Sequence, residues 1–262
     1  MHRLSILGAV TLGLLALAAN HANYSREARE NFSRTLNAAK TLEVDNVNGS
    51  IEVFGDGGGN VRVTGEKIIH ALDQTELDRA KREVTLDVNE KDGVLHLYVN
   101  GPFRQHAQPG DYHGFHERSD HEYEVTYNFT IPVPRQTAIA LRTVNGIIRT
   151  NDTSGHFDLH SVNGGITMDR ATGSGSVKTV NGRLNLTFPP NLAADIHYRT
   201  LNGGVFTDFE ATALAPTMKP ESREGRFVYR ADRGGTVRVG AGGPEIDLET
   251  VNGAIEIHKQ VD

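Results

Sequence analysis

The tripeptide Val-Asn-Gly, with one Leu-Asn-Gly variant, recurs along this 262-residue chain and constrains its fold more than any other feature. Three consecutive copies follow one another at a spacing of 18 residues. Internal repetition at a fixed period indicates an architecture of stacked equivalent units. The repeated turn pairs are Asn48-Gly49, Asn145-Gly146, Asn163-Gly164, Asn181-Gly182, Asn202-Gly203 and Asn252-Gly253.

The residues around each Asn alternate between apolar and polar. The positions four before and three after the Asn are apolar or aromatic in every copy, whereas the position three before it is always ionisable. Alternation with a period of two is typical of a half-buried β-strand. Each copy is therefore predicted to form a strand, a tight turn and a second strand, and the chain is predicted to be all-β.

Two all-β architectures are compatible with this unit. Asn-Gly between alternating runs is a strong hairpin signal, because both turn positions favour positive φ, and successive hairpins would form an antiparallel meander. The Val or Leu before each Asn would then share a solvent-facing surface with the ionisable positions. A parallel β-solenoid with coils of about 18 residues instead turns the chain inward at each corner. It also stacks the Asn amides, which satisfy one another's hydrogen bonds. These considerations favour the parallel β-solenoid.

Three segments divide the chain. Residues 1–22 contain the apolar run Leu4–Ala19, which is shorter than a membrane-spanning helix, and they are typical of a cleaved secretory signal peptide. Residues 23–40 are polar and are interpreted as a leader or linker, and 41–258 are interpreted as the solenoid domain. The chain has no Cys, which excludes a lipid-modified cysteine and structural disulfides. The sequence therefore predicts an exported protein that is periplasmic, surface-exposed or secreted.

One segment interrupts the strand pattern with a helix signal. Asp73 is followed by Glu76 at the spacing of a capping box. This pattern predicts a short helix over 74–83, whose expected role is to shield one end of the stacked strands.

A loop over 100–124 is rich in histidine. Its imidazoles, with carboxylates nearby, are donors suited to Zn²⁺ or Cu²⁺, although their spacing matches no established ligand pattern. The alternative interpretation is a solvated loop whose charge changes near the ordinary pKa of histidine, about 6.5. The candidate metal ligands are His106, His113, His116 and His121.

The ionisable position three before each Asn supplies a second candidate site. In a stack of repeats, these side chains are expected to line up along one outer face. Such a row could bind phosphate or an acidic glycan, although like charges on adjacent strands repel and Asp158 offsets part of the charge. The alternative is an ordinary charged solvent face. The candidate binding residues are Arg142, His160, Lys178 and Arg199.

No feature of the sequence indicates catalysis. The candidate carboxylates Asp152, Asp158 and Asp169 are scattered, and no Gly-x-Ser-x-Gly, His-Glu-x-x-His or phosphate-loop pattern is present. The formal net charge of −6 argues against nucleic acid as the main partner. We therefore expect a protein that is not an enzyme and that has no cofactor.

Several segments together resemble the bacterial adhesin-like family of exported β-strand-repeat proteins, whose function is mostly unknown. The matching segments are VNGSIEV, a strand ending in IPVP, the array ALRTVNGIIRT, DLHSVNGGITM and SVKTVNGRLNL, and the closing GAGGPEIDLETVNGAIEI. The resemblance covers roughly residues 40–258 and implies a parallel β-solenoid outside the cytoplasm. It carries no catalytic residues.

The predicted function is that of an exported, non-catalytic β-solenoid that presents an extended surface for binding or adhesion at the cell envelope. An envelope glycan or a protein is the expected partner. The alternative is a structural or envelope-stress accessory protein, with a partner protein that docks on a sheet edge.

Overall fold

The computed structural model describes residues 2–3, 24–104, 122–214, 221–223, 226–228 and 234–261. Most of these residues are in β-strands, with one α-helix, α1 (Gln74–Glu83), and one 3₁₀ helix (Pro102–Arg104). The strands are β1 (His2–Arg3), β2 (Arg26–Leu36), β3 (Thr41–Asp45), β4 (Ile51–Asp56), β5 (Val61–Ala71), β6 (Thr85–Lys91), β7 (Val94–Asn100), β8 (Tyr123–Pro134), β9 (Ala138–Asn145), β10 (Ile148–Asn151), β11 (Phe157–Asn163), β12 (Ile166–Asp169), β13 (Gly175–Asn181), β14 (Leu184–Phe188), β15 (Ala194–Asn202), β16 (Val205–Thr207), β17 (Ala211–Leu214), β18 (Glu221–Arg223), β19 (Arg226–Val228), β20 (Gly234–Val239), β21 (Glu245–Asn252) and β22 (Ile255–Lys259).

Two large sheets contain nearly all of these strands. The first has 11 strands in the order β1-β6-β7-β3-β9-β11-β13-β21-β15-β20-β17. The second has 9 strands in the order β16-β22-β14-β12-β10-β4-β8-β5-β2. The short strands β18 and β19 pair with each other.

The repeats supply the parallel centre of both sheets. In the eleven-stranded sheet, the strands that end at the repeated Asn run parallel and pair Asn against Asn. In the nine-stranded sheet, the strands that follow each Gly also run parallel and in register. Each Asn-Gly pair is therefore a corner at which the chain passes from one sheet to the other. The predicted all-β class is confirmed.

The predicted parallel β-solenoid is wrong. Both sheets are mixed: β6 and β7 pair antiparallel, β20 pairs antiparallel with β15 and β17, and β5 pairs antiparallel with β2 and β8. The spatial order of the repeats also departs from chain order, because β21 lies between β13 and β15 and β22 lies between β14 and β16. After β16 the chain leaves the parallel region, and its last repeat returns inside the array rather than beyond it.

The core lies between the two sheets and is built from the two apolar positions of each repeat. The residue four before the Asn points inward from the eleven-stranded sheet, and the residue three after it points inward from the nine-stranded sheet. Burying each such side chain stabilises the fold by roughly 1.5–3 kcal/mol relative to exposure. The fully buried members include Val44, Leu141, Leu159, Val177, Leu248, Ile51, Ile148, Ile166, Leu184 and Ile255.

The predicted helix is confirmed with the predicted bounds. The side chain of Asp73 accepts a hydrogen bond from the backbone N–H of Glu76 at 2.9 Å, so it caps the first turn of α1. Leu77 and Ala80 are buried, and α1 contacts β2, β5 and β8 at one end of the nine-stranded sheet. The helix therefore covers apolar surface at that end.

The polar stretch 23–40, for which the sequence predicted no strand, contains β2. This strand pairs along its whole length with β5 and buries Ala28 and Phe32. It forms an edge of the nine-stranded sheet, and its outward positions carry charged groups such as Arg29, which bonds to Glu27 at 2.6 Å. Charged side chains on an edge strand oppose edge-to-edge aggregation, which explains why this strand lacks an apolar pattern.

Candidate functional site

The outer face of the eleven-stranded sheet carries the ionisable residues that precede each Asn by three positions. We call these residues the paired-charge row. Register places Arg142 beside His160 and His160 beside Lys178, as expected. Glu249 then lies between Lys178 and Arg199, because the last repeat is inserted at that point. In sheet order the row consists of Asp45, Arg142, His160, Lys178, Glu249 and Arg199.

Acidic side chains pair with most of the cations in this row. Asp158 accepts from Arg142 Nη2 at 2.9 Å and lies 2.7 Å from His160 Nε2. The hydrogen bond from His160 lowers the pKa of Asp158; burial opposes the shift, and the charges of His160 and Arg142 add to it. Arg199 lies 3.7 Å from Glu249, whereas Lys178 is in no ion pair with the described residues. The row is therefore close to electroneutral, which does not favour a polyanion such as phosphate or an acidic glycan.

The sequence analysis missed the group that ends the paired-charge row. The guanidinium of Arg104 bonds to Asp45 Oδ1 at 2.7 Å and lies 4.3 Å from the centre of the Tyr98 ring. Its side chain is only 2% exposed. Arg104 is the last residue of the 3₁₀ helix Pro102–Arg104 and lies far along the chain from Asp45, so neither spacing nor composition could have paired them.

A second row lies on the same outer face, one residue before every repeated Asn except Asn48, whose neighbour Val47 is buried. We call it the aliphatic row, and it consists of Val144, Val162, Val180, Val251 and Leu201. The sequence analysis had counted such an outward position against a hairpin, but the five residues share the face of the ionisable row here as well. Strict alternation from the buried Leu141 and Thr143 directs Val144 outward. Val180 is 39% exposed and Leu201 is 50% exposed. The row crosses five adjacent strands, a width of about 19 Å at the usual strand spacing.

The six repeated Asn side chains form a continuous ladder along the corner, as the sequence predicted. Five of the six amide nitrogens donate to the Oδ1 of the neighbouring Asn on the side toward Asn48, with distances of 2.7–2.9 Å. The amide of Asn48 itself donates to the backbone carbonyl of Val125 at 3.4 Å. The ladder connects, in order, Asn48, Asn145, Asn163, Asn181, Asn252 and Asn202. A row of amides satisfies its own hydrogen bonds, so the ladder fixes the register of the parallel strands.

A hydroxyl ladder lies beside the amides and was not predicted. In five of the six copies the residue two before the Asn is Ser or Thr, and its hydroxyl donates to the carbonyl of the Gly on the adjacent strand. Four of these five residues are buried, and Thr200 is partly buried. Ser161 donates to Gly146 at 2.9 Å and Thr179 donates to Gly164 at 2.8 Å. Buried backbone carbonyls need partners, so these hydroxyls explain the small polar residue at this position.

The array has one open end among the described residues. β15 pairs with β20 only as far as Arg199, and β16 pairs only with β22. Residues 200–207 therefore lack a strand neighbour on one side within the described part of the chain. Phe206 is 59% exposed in this segment, and its ring lies close to Gly204.

The candidate metal ligands His106, His113, His116 and His121 lie outside the described residues. Within the described ranges, no group of three or more His, Asp or Glu side chains is arranged to hold a metal ion. None of the helices in the described part of the chain has the length and apolar character needed to cross a membrane.

Comparison with solved structures identifies a shared fold. The chain is similar to a "putative cell adhesion protein" from Clostridium sporogenes ATCC 15579, with a TM-score of 0.54 and 10% identity over 88% of this chain and 100% of that one. The chain is also similar to a "putative adhesin" from Bacteroides fragilis NCTC 9343, with a TM-score of 0.27 and 10% identity. A "putative adhesin" from Parabacteroides distasonis ATCC 8503 has a TM-score of 0.25 and 12% identity. Each of these two similarities covers 88% of this chain and 97% of the other. Those two scores are too low to support a structural argument.

No known protein-family model matches the chain, and no curated protein sequence matches it. At 10% identity, the similarity to the Clostridium sporogenes protein concerns the fold alone.

Proposed function

We propose that this chain is an exported, non-catalytic binding protein that engages a partner protein through the outer face of its eleven-stranded sheet. The observation that carries this proposal is the aliphatic row, which crosses five adjacent strands and whose members Val180 and Leu201 are exposed. Contiguous apolar surface rimmed by polar groups marks protein interaction sites. The similarity in fold to a protein described as an adhesion protein is in keeping with a binding role.

The charges on this face favour a protein over an acidic polymer. Arg142 is neutralised by Asp158 and Arg199 by Glu249, so Lys178 is left as the cation that no described ion pair neutralises. A polyanion needs an excess of cations, whereas a protein surface can match alternating charges and cover the adjacent aliphatic side chains. In this arrangement, Arg142, His160, Lys178 and Arg199 set the orientation of the partner, and the aliphatic row supplies most of the binding energy.

Affinity capture from an envelope extract with matched variants tests this function. Val162→Glu combined with Val180→Glu places charge on the aliphatic row, and the bait should then lose the partner that the unaltered chain retains. Thr167→Glu combined with Asn185→Glu is the matched control, because these residues lie on the outer face of the nine-stranded sheet. Equal retention by the two double variants would disprove the role of the aliphatic row.

A glycan array separates the partner classes. The outcome that favours a polyanion is strong binding of acidic glycans by the unaltered chain and its loss in the double variant Arg142→Glu, Lys178→Glu. That outcome would show that the partner is a polyanion and not a protein. For a protein partner, charge reversal should instead weaken binding modestly and change its dependence on salt.

A second mode of protein binding is favoured by the open end of the array. β16 is an edge strand, and an extended segment of a partner could add to it by backbone hydrogen bonds. Such strand addition would also cover Phe206 and Leu201. Phe206→Lys introduces an edge charge that opposes strand addition, so it should abolish this mode and leave binding to the centre of the aliphatic row intact.

A further inference from the structure

Each of the six Asn-Gly pairs can undergo deamidation, and the fold determines how readily each one reacts. The backbone nitrogen of the Gly can attack Cγ of the preceding Asn, forming a C–N bond and a succinimide while the side-chain amide leaves as ammonia. Water then opens the ring and yields either aspartate or isoaspartate. This reaction needs a Gly N–H that is not committed to a hydrogen bond and an Asn side chain that can turn toward it.

In five of the six pairs, hydrogen bonds restrain both the Gly N–H and the Asn side chain. In each of them the Gly N–H donates to the backbone carbonyl of the Asn on the adjacent strand, at 2.9–3.1 Å. In each the Asn side chain also donates through Nδ2 and accepts through Oδ1. The attacking nitrogen and the attacked carbon are therefore both fixed. The protected pairs are Asn48-Gly49, Asn145-Gly146, Asn163-Gly164, Asn181-Gly182 and Asn252-Gly253.

The sixth pair, Asn202-Gly203, lacks two of these three hydrogen bonds among the described residues. Its Gly N–H donates to no carbonyl among the described residues, because no described strand lies beyond this part of β15. Asn202 donates to Asn252 Oδ1 at 2.7 Å, but its own Oδ1 accepts from none of the described residues. Gly203 is exposed, whereas the Gly of each other pair is partly covered.

We propose that Asn202 is a site of spontaneous deamidation in the folded protein, and that the other five Asn-Gly pairs are protected by the array. Water is the only co-reactant, and the products are ammonia and one new carboxylate. The reaction changes the open end of the amide ladder from neutral to negative. The isoaspartate product also adds one backbone carbon at the corner between β15 and β16, which disturbs the pairing of Asn202 with Asn252.

The chemistry at Asn202 does not depend on whether a partner binds the outer face. Its position does connect it with that face, because Leu201 precedes it and is the most exposed member of the aliphatic row. A carboxylate at this corner places charge beside the apolar surface of the open end.

Peptide mass mapping of the full-length chain tests this proposal. The folded protein is incubated in mildly alkaline buffer made with ¹⁸O-labelled water, so that each newly formed carboxylate carries the label. Label should enter the tryptic peptide that begins at Thr200 at least about tenfold faster than any other Asn-Gly peptide, since exposed segments open at much lower cost than packed strands. In denaturant the six sites should react at similar rates.

Two further outcomes decide the matter. Asn202→Gln keeps an amide but disfavours ring closure, so the acidic charge variant that accumulates in the unaltered protein should be absent by isoelectric focusing. If Asn202 in the folded chain reacts no faster than Asn163, or if another Asn-Gly pair dominates, the proposal is overturned.

Discussion

A methyl group added to Gly164 would overlap the backbone carbonyl oxygen of Gly146. The same relationship recurs between the Gly residues of all adjacent repeat strands, and only Gly49 among the six has positive φ. Close approach of neighbouring corners therefore requires Gly after each Asn, whereas the hairpin alternative would have required positive φ at these positions.

Gly164→Ala is expected to destabilise the protein by about 1–3 kcal/mol or more, because the corner must open to accept the methyl group. Gly57→Ala is the control: it adds a Cβ of the same size where no atom lies within 4 Å. Urea unfolding should show a clearly lower midpoint for Gly164→Ala than for the unaltered protein. The midpoint of Gly57→Ala should be almost unchanged. Equal midpoints would disprove the close-approach explanation.

Asn163→Asp is expected to cost roughly 1–2 kcal/mol near neutral pH, because it replaces a donor to Asn145 Oδ1 with a carboxylate oxygen. The cost should shrink on acidification, since a protonated carboxyl group can donate again. Asn202→Asp, at the open end of the ladder, should cost clearly less, because its side chain can turn into solvent. Chemical denaturation of both variants at two pH values checks this, and a cost for Asn163→Asp that does not change with pH would contradict it.

Lys67 is expected to make stability rise with pH in the alkaline range. Its Nζ donates to Val84 O at 2.7 Å beneath α1, and burial lowers its pKa to about 8. Glu30 raises this pKa and Lys81 lowers it, both by smaller amounts. The unfolded chain therefore binds more protons between pH 8 and the ordinary lysine value of about 10.4, and stability should increase across that window by up to about 3 kcal/mol.

Lys67→Met removes this titration, so its free energy of unfolding should be flatter across the same alkaline window. Parallel urea titrations of the two proteins measure the difference. An identical pH dependence in both would show that Lys67 does not titrate in this window.

Asp158→Asn is expected to cost up to about 1 kcal/mol near neutral pH, through lost bonds to Arg142 and His160 that are only partly shielded from solvent. The pKa of Asp158 is lowered in the folded state, so its contribution is present above the ordinary aspartate value, about 3.9, and is lost as pH falls further. The variant and the unaltered protein should therefore converge in acid. A difference in melting temperature that persists at low pH would contradict this assignment.

The local features of the fold were predictable because they depend on short-range physics. Alternation around each Asn predicted the inward position of residues such as Leu159 and Ile166, and the capping box at Asp73 predicted the bounds of α1. Stacking of the Asn amides followed from the occurrence of the same amide at every corner. In the first two cases the signal lies within a few residues of the structure that it predicts, and in the third it is repeated in every copy of the tripeptide.

The sheet order and the electrostatics of the outer face were not predictable, because they depend on contacts between distant segments. The 18-residue spacing suggested uniform stacking, but it could not show that the last repeat enters between β13 and β15. That insertion places Glu249 beside Lys178 and interrupts the predicted run of cations. Arg104 reaches Asp45 across 59 positions, for which the sequence has no local signal.

Photo-crosslinking from single cysteines tests the proposed binding face most directly, because the chain has no native Cys. A crosslinker attached to Val180→Cys, on the outer face of the eleven-stranded sheet, should capture the partner from an envelope extract. The same reagent on Asn185→Cys, on the outer face of the nine-stranded sheet, should not capture it. Capture from Asn185→Cys alone, or with equal yield from both positions, would contradict binding through the aliphatic row.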